Sequence, residues 1–118
     1  MADWIFDRHG RPGLILDGDC LRDRRGRLCA WLSGINVHSK RGRHIGWFEE
    51  GVVYDSRNRV IGFVRDAIGS MPARPGLSGT PGMPGFAGRP GRPGLSGSPG
   101  RPGKGGWSSN DLRTYFDD

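Results

Sequence analysis

Apolar and polar positions in the first 68 residues fall into short alternating blocks, without a helical period. Four blocks, 4–6, 20–22, 36–38 and 52–54, each run into a polar stretch. A second set, 13–16, 29–32, 45–48 and 61–64, follows that stretch. The polar stretch has one form. Asp7, Asp23, Ser39 and Asp55 are spaced by sixteen, as are Gly10, Gly26, Gly42 and Asn58, and Arg11, Arg27, Arg43 and Arg59. An Asp-x-x-Gly-Arg motif at fixed spacing has a mechanical reading. Asp or Ser at the first position of a type I turn caps the backbone, and Gly or Asn takes the left-handed conformation that closes it. Such a turn joins two antiparallel strands as a hairpin with a bulge. The spacing therefore predicts four β-hairpins, with Gly18, Gly34 and Gly51 in the loops between them.

One hairpin is marginal in water, but four in sequence can close around a pseudo-fourfold axis. Equivalent residues then form rings, Ile5/Leu21/Val37/Val53 and Ile15/Trp31/Trp47/Phe63, expected to be the core. The set Leu14/Ala30/Gly46/Gly62 leaves room for close backbone approach.

Glycine then recurs at every third position from Gly76 to Gly106, with proline ending six of the triplets. Proline holds φ near the polyproline II value, and a bare glycine edge lets extended chains meet, so the run reads as collagen-like. Extended, thirty such residues span about 90 Å. Two arrangements follow: a triple-helical stalk carrying three heads, or polyproline II strands packed on each other, on the barrel, or left solvated. Leu77, Met83, Phe86 and Leu95 are odd in a solvated linker and are candidate self-assembly contacts. In the final stretch Ser109 or Asn110 is expected to cap a short helix, with Asp111 in its first turn. Trp107, Leu112, Tyr115 and Phe116 would form its docking face.

The expected fold class is all-β: four 16-residue hairpins in a pseudo-fourfold shallow barrel, an extended polyproline II or collagen-like tail, and a short C-terminal helix. The expected divisions are a head over 1–68, a linker over 69–75, the Gly-X-Y segment over 76–106 and a docking segment over 107–118.

Composition and charge sharpen this. With 22 Gly and 9 Pro in 118 residues, a single compact domain filling the chain is disfavoured. The net charge is +6, and 74–104 holds Arg74, Arg89, Arg92, Arg101 and Lys104 with no acid, ahead of a terminal Asp117-Asp118. Five charges over that length make a weak case for nucleic acid, which is not expected as a partner. No apolar run approaches the ~20 residues of a membrane-spanning helix. The N-terminus lacks a basic stretch followed by an apolar one, which points to the cytoplasm and leaves signal-independent export to the cell surface open. Cys20 and Cys29 flank one turn. Buried free thiols in a reducing compartment are expected over a cross-hairpin disulfide.

The stretch Ile45-Gly46-Trp47-Phe48-Glu49-Glu50-Gly51-Val52-Val53-Tyr54-Asp55, followed by Val60-Ile61-Gly62-Phe63, resembles the bacterial four-fold beta flower family over about residues 3–67. The resemblance implies a shallow, petal-like barrel of eight strands. Leu14 replaces the small residue of the pattern, Arg22 the aromatic seen at Phe6 and Tyr54, and Ser39 and Asn58 depart more mildly. The family brings no activity to transfer. Its similarity to tubby-type barrels implies lipid or ligand binding by analogy alone.

No phosphate loop, dinucleotide fingerprint or Cys-x-x-Cys pair is present, and no enzyme activity, cofactor or metal is expected. His38 and His44 flank the third turn, but further metal ligands are not apparent, so they read as exposed strand residues. Asp7, Asp23 and Asp55 read as turn caps, not a carboxylate cluster. Trp31, Trp47 and Phe63 at the mouth, with the rim ring Arg11, Arg27, Arg43 and Arg59, are the candidate site for a lipid or anionic ligand. The sequence thus suggests a structural protein whose tail drives homo-oligomerisation into a trimer or filament. Its self-assembly contacts would be Leu77, Met83, Phe86, Leu95, Trp107, Tyr115 and Phe116. The alternative is a ligand-binding module with the tail as spacer.

Overall fold

The structure, a computed structural model, describes residues 2–69, 71–103 and 105–116. Lys104 of the expected basic strip and the Asp117-Asp118 terminus lie outside the described residues. Eight strands form a closed antiparallel barrel: β1 (Ala2–Phe6), β2 (Pro12–Asp17), β3 (Cys20–Arg22), β4 (Leu28–Ser33), β5 (Asn36–Ser39), β6 (His44–Glu49), β7 (Val52–Tyr54) and β8 (Val60–Val64). Each strand pairs with the next, and β8 closes on β1 through Ile5–Val64 and Phe6–Phe63.

The turns β1–β2, β3–β4, β5–β6 and β7–β8 are built alike. The first residue's N–H donates across the turn to the carbonyl four residues on, as from Asp7 to Arg11 at 2.9 Å. Its side chain accepts two backbone N–H groups. Asp7 Oδ1 takes those of His9 and Arg11 at 2.8 and 3.0 Å, and Ser39 Oγ takes those of Arg41 and Arg43 at a longer 3.3 Å. Gly10, Gly26, Gly42 and Asn58 all have positive φ, from 61° to 91°. Each hairpin shifts register just before its turn, as expected of a bulge.

The two predicted rings face opposite sides of the sheet. Ile5 pairs with Leu14, Leu21 with Ala30, Val37 with Gly46 and Val53 with Gly62. Paired residues share a face, so this inner set fills the barrel, and all four ring members are 0 % exposed. Ile15, Trp31, Trp47 and Phe63 follow directly in sequence and so point outward. They are nevertheless buried, because something else covers them. That is a correction: the core has two layers, and barrel closure accounts for one.

The cover is the tail. Residues 71–103 carry neither helix nor strand, yet they return to the barrel at regular intervals. The N–H groups of Ser78, Ala87 and Ser96 donate to the carbonyls of Gly10, Gly26 and Gly42 at 2.9, 3.1 and 2.8 Å. Gly105 reaches Asn58 at 3.3 Å. The projecting 90 Å stalk considered above does not fit a molecule of 36 × 36 × 22 Å. The tail instead encircles the barrel as a strap. At about 3.1 Å per residue, the chain from Ser78 to Gly105 spans three quarters of a circle about 36 Å across, which matches the width of the disc.

Beyond the strap, Trp107 forms an isolated parallel bridge with Val60. The short helix α1 (Leu112–Tyr115) follows. Its cap is Asp111, whose side chain accepts the Arg113 N–H at 2.8 Å, and not Ser109 or Asn110. Ser108 and Asn110 are already committed to Asp55, with Ser108 Oγ 2.5 Å from its carboxylate. Leu112, 1 % exposed, closes the barrel end against Gly13 and Gly62. The docking segment therefore seats on its own barrel.

Candidate functional site

The distinctive surface is the seam between strap and barrel. Turn and strap approach so closely that a Cβ on Gly10, Gly26 or Gly42 would lie 1.9–2.2 Å from the carbonyl oxygens of Gly76, Gly85 and Gly94. In the fourth turn Asn58 supplies side-chain bonds instead. Its Nδ2 donates to the Pro102 carbonyl and its Oδ1 accepts from Arg101 Nε, both at 2.8 Å.

The strap residues Ala87 and Ser96 are held at both ends of the peptide. Besides donating to the turn, Ala87 offers its carbonyl to Arg22 Nη1 at 2.8 Å, and Ser96 offers its carbonyl to His38 Nε2 at 3.0 Å. Arg22 explains its departure from the aromatic pattern. Its side chain is 4 % exposed, pairs with Asp17 at 2.8 Å, donates to the Gly26 carbonyl at 2.8 Å and lies 4.6 Å from the Phe86 ring centre. His38 is likewise buried, so the expectation of two exposed histidines fails for it. Its ring meets that of His44 edge-on at 5.3 Å, and His44 Nε2 bonds Asn36 Oδ1 at 3.1 Å. Among the described residues no group of three or more His, Cys, Asp or Glu could hold a metal ion.

Strap arginines cap the outward aromatic ring. Arg74 lies 5.8 Å from Phe63, Arg92 5.7 Å from Trp31, and Arg101 5.5 Å from Trp47 and 4.8 Å from Tyr54. Each stacks a guanidinium on a ring face and turns a donor to a nearby oxygen: the Ala67 and Leu32 carbonyls, and Glu49 at 2.9 Å. Where Ile15 takes the aromatic's place, the corresponding strap residue is Met83, beside Trp4.

Trp31, Trp47 and Phe63 thus lie beneath the strap on the outer wall. The mouth is occupied by Leu112, and Phe116 is buried beside Leu14 and Cys29. Arg11, Arg27, Arg43 and Arg59 are exposed on the turn rim, Arg11 and Arg27 beside the carboxylates of Asp7 and Asp23 at 3.6 and 3.1 Å. Leu77, Met83 and Phe86 are more than a third exposed on the strap, and Leu95 is half-buried. Trp107 packs 6.2 Å from Phe63, and Tyr115 donates to the Ile45 carbonyl.

Cys20 and Cys29 are both buried thiols and are not joined in a disulfide. Burial pushes the Cys20 thiol above its usual range, against the pull of Arg89 and Arg22. The hydrogen bond from Arg22 holds Asp17 below the usual carboxylate range, with Arg89 adding to it against desolvation. Among the described residues no helix is long and apolar enough to cross a membrane.

Sequence reasoning missed the strap's anchors. Its signal was the gap in the prolines. The third triplet position is Pro except at Ser78, Ala87, Ser96 and Gly105, nine residues apart, where an N–H is needed that proline lacks. Arg74, Met83, Arg92 and Arg101 keep the same nine-residue step.

No curated protein and no solved structure matches this chain. A family model described as 4-fold beta flower protein does match, over residues 3–116 and so through the strap and tip, and the chain belongs to that family.

Proposed function

We propose that this is a non-enzymatic structural protein that assembles with copies of itself through the outer edge of the strap. The observation that carries this reading is the state of the strap's glycines. From Gly76 to Gly103, a Cβ built on any of them meets no atom within 4 Å. The barrel therefore does not need glycine at those positions. Each costs conformational entropy, roughly 0.5–1 kcal/mol against alanine in ordered backbone. A bare Cα edge permits the close approach of a second extended chain. Leu77, Met83 and Phe86 stand exposed along the same strap and add apolar contact. In this reading the strap completes its own barrel and then offers its glycine edge to the strap of a neighbour, giving a trimer or filament.

The test is solution mass by light scattering over a range of concentrations. The comparison is with a triple variant Gly79→Ala, Gly88→Ala, Gly97→Ala. The wild type should exceed one chain in mass. The variant should be a single chain with an unfolding midpoint no lower than the parent's. A one-chain mass for the wild type at every concentration would overturn the reading.

A further inference from the structure

An up-and-down barrel gathers its odd-numbered connections at one end. Here that end holds the four bulged turns, and the sequence has loaded them. Ten of the twelve Lys and Arg residues in 1–69 lie in these turns, the others being Arg22 and Arg65. All ten are exposed. The opposite end carries acids, but the strap offsets several. Arg89 reaches Asp19 at 2.5 Å and Asp17 at 3.7 Å, and Arg101 reaches Glu49 at 2.9 Å. On the turn rim the only carboxylates within the turns are Asp7, Asp23 and Asp55, each already accepting turn N–H groups.

The basic charge is not spread evenly. The second turn brings Arg24, Arg25 and Arg27, and the neighbouring third turn brings Lys40, Arg41 and Arg43, against Asp23 alone. Arg113 of α1 joins them. With Asp23, Arg27 and Lys40 it lines a cleft of about 220 Å³, and with Arg24 and Arg25 an adjoining one of about 190 Å³. The first and fourth turns supply four cations against two acids.

We propose that the half-rim formed by the second and third turns and Arg113 binds the phosphate backbone of duplex nucleic acid. Arginine forks pair with phosphate oxygens in bidentate fashion, and a concentrated surplus of one sign attracts a polyanion from a distance. A flat anionic bilayer would engage the whole rim, whereas these charges sit on two adjacent turns, as a linear polyanion requires. The large apolar side chains exposed among the described residues are Ile35, Ile68, Leu77, Met83 and Phe86, none of them on the turns. Among the described residues, the second and third turns therefore expose no aromatic ring to stack on unpaired bases and no large apolar side chain to enter a membrane. Contacts confined to the backbone are independent of base sequence. A second copy's acidic end is a poorer partner, since its own strap has already neutralised part of it. The inference does not depend on self-assembly.

The test uses the full chain and a labelled duplex of arbitrary sequence, followed by fluorescence anisotropy between roughly 50 and 200 mM salt. Affinity should fall with a log–log slope of roughly −3 to −5, as for about four to five phosphates. Arg24→Gln with Arg41→Gln should weaken binding by roughly tenfold or more, since each lost phosphate contact forfeits counterion release. Arg8→Gln with Arg57→Gln removes the same charge from the poor half of the rim and should change affinity much less. Equal losses for the two pairs would reduce the effect to net charge and overturn the proposal. So would tighter binding of single strands than of duplex, phosphatidylglycerol vesicles binding with equal sensitivity to both pairs, or no binding at the lowest salt. Both variants change exposed side chains, and unfolding midpoints verify that the fold is kept.

Discussion

The barrel and the strap follow the same fourfold plan by opposite means. The barrel takes sixteen residues per petal and satisfies its backbone through a closed ladder. The strap takes nine per petal, has no ladder, and bonds the barrel through one backbone N–H per petal, the carbonyls of Ala87, Ser96 and Pro102, and a few side chains. Yet the strap buries the outward ring that barrel closure cannot. A small barrel has more apolar surface than its lumen can hold, and an encircling chain supplies a second layer at low cost in residues. The proline-rich strap suits this task because it is already stiff, so less conformational freedom is lost on docking.

The comparison breaks most completely if the strap is removed. Deleting 71–118 uncovers Trp31, Trp47, Phe63 and Tyr54, each worth roughly 1.5–3 kcal/mol when buried. A loss of about 6–12 kcal/mol equals the whole stability of many small domains. The shortened chain should show no cooperative urea transition by circular dichroism. A transition at the parent's midpoint would mean that the barrel stands alone and the strap only decorates it.

Two glycines sharpen the same contrast. Gly42 has φ +91° and lies against Gly94, where a Cβ would sit 2.1 Å from the carbonyl oxygen. Gly34 has φ +59° and open space around it. Gly34→Ala should cost about 1 kcal/mol, the left-handed penalty alone. Gly42→Ala should cost about 3 kcal/mol or more, because the strap must also move. Equal costs in urea unfolding would show that the strap yields freely at the turn.

A smaller effect tests the reading of the prolines. Ala87→Pro removes the N–H that donates to Gly26 and should cost about 1–3 kcal/mol. Pro90→Ala removes only stiffness and should cost under about 1 kcal/mol. The reverse order would sink the view that the nine-residue gaps mark anchors.

These contrasts explain what was legible in the sequence. The hairpins, caps, bulges and closing glycines were readable because each rests on a local motif, Asp-x-x-Gly-Arg, whose mechanism lies within five residues. The family resemblance rested on the strands flanking the fourth turn, 45–55 and 60–63. The strap's path was not readable in that way. Glycine and proline at period three dominate its signal and suit a collagen helix equally well. The information that ties it to this barrel is the ratio of nine to sixteen between two separate regions. Trp31 and Trp47 read from the sequence as core and mouth residues; strand alternation turns them outward, and their burial depends on a partner more than forty residues away. The basic half-rim was hidden for a related reason: Arg27 and Lys40 line one cleft only once the turns share one end of the barrel.

The smallest expected effect probes the seam by pH. The His44 N–H donates to Ser96 Oγ at 2.9 Å, which ties the start of β6 to the strap. Burial, and then the neighbouring His38 ring, lower the His44 pKa below its usual 6.5. A histidine with a depressed pKa binds its proton less readily folded than unfolded. Its contribution is therefore complete above about pH 6.5 and is lost as pH falls below that value. Asp17 and Asp23 are both held below the usual 3.8, Asp23 because backbone and Arg27 hydrogen bonds outweigh the opposing effect of burial. Their stabilisation persists until pH falls below about 4, so the interval between about pH 5 and 7 isolates the histidine. The urea midpoint should decline modestly from pH 7.5 to 5.5, and His44→Gln should flatten that decline. An undiminished pH dependence in the variant would move the effect elsewhere and leave the seam indifferent to protons.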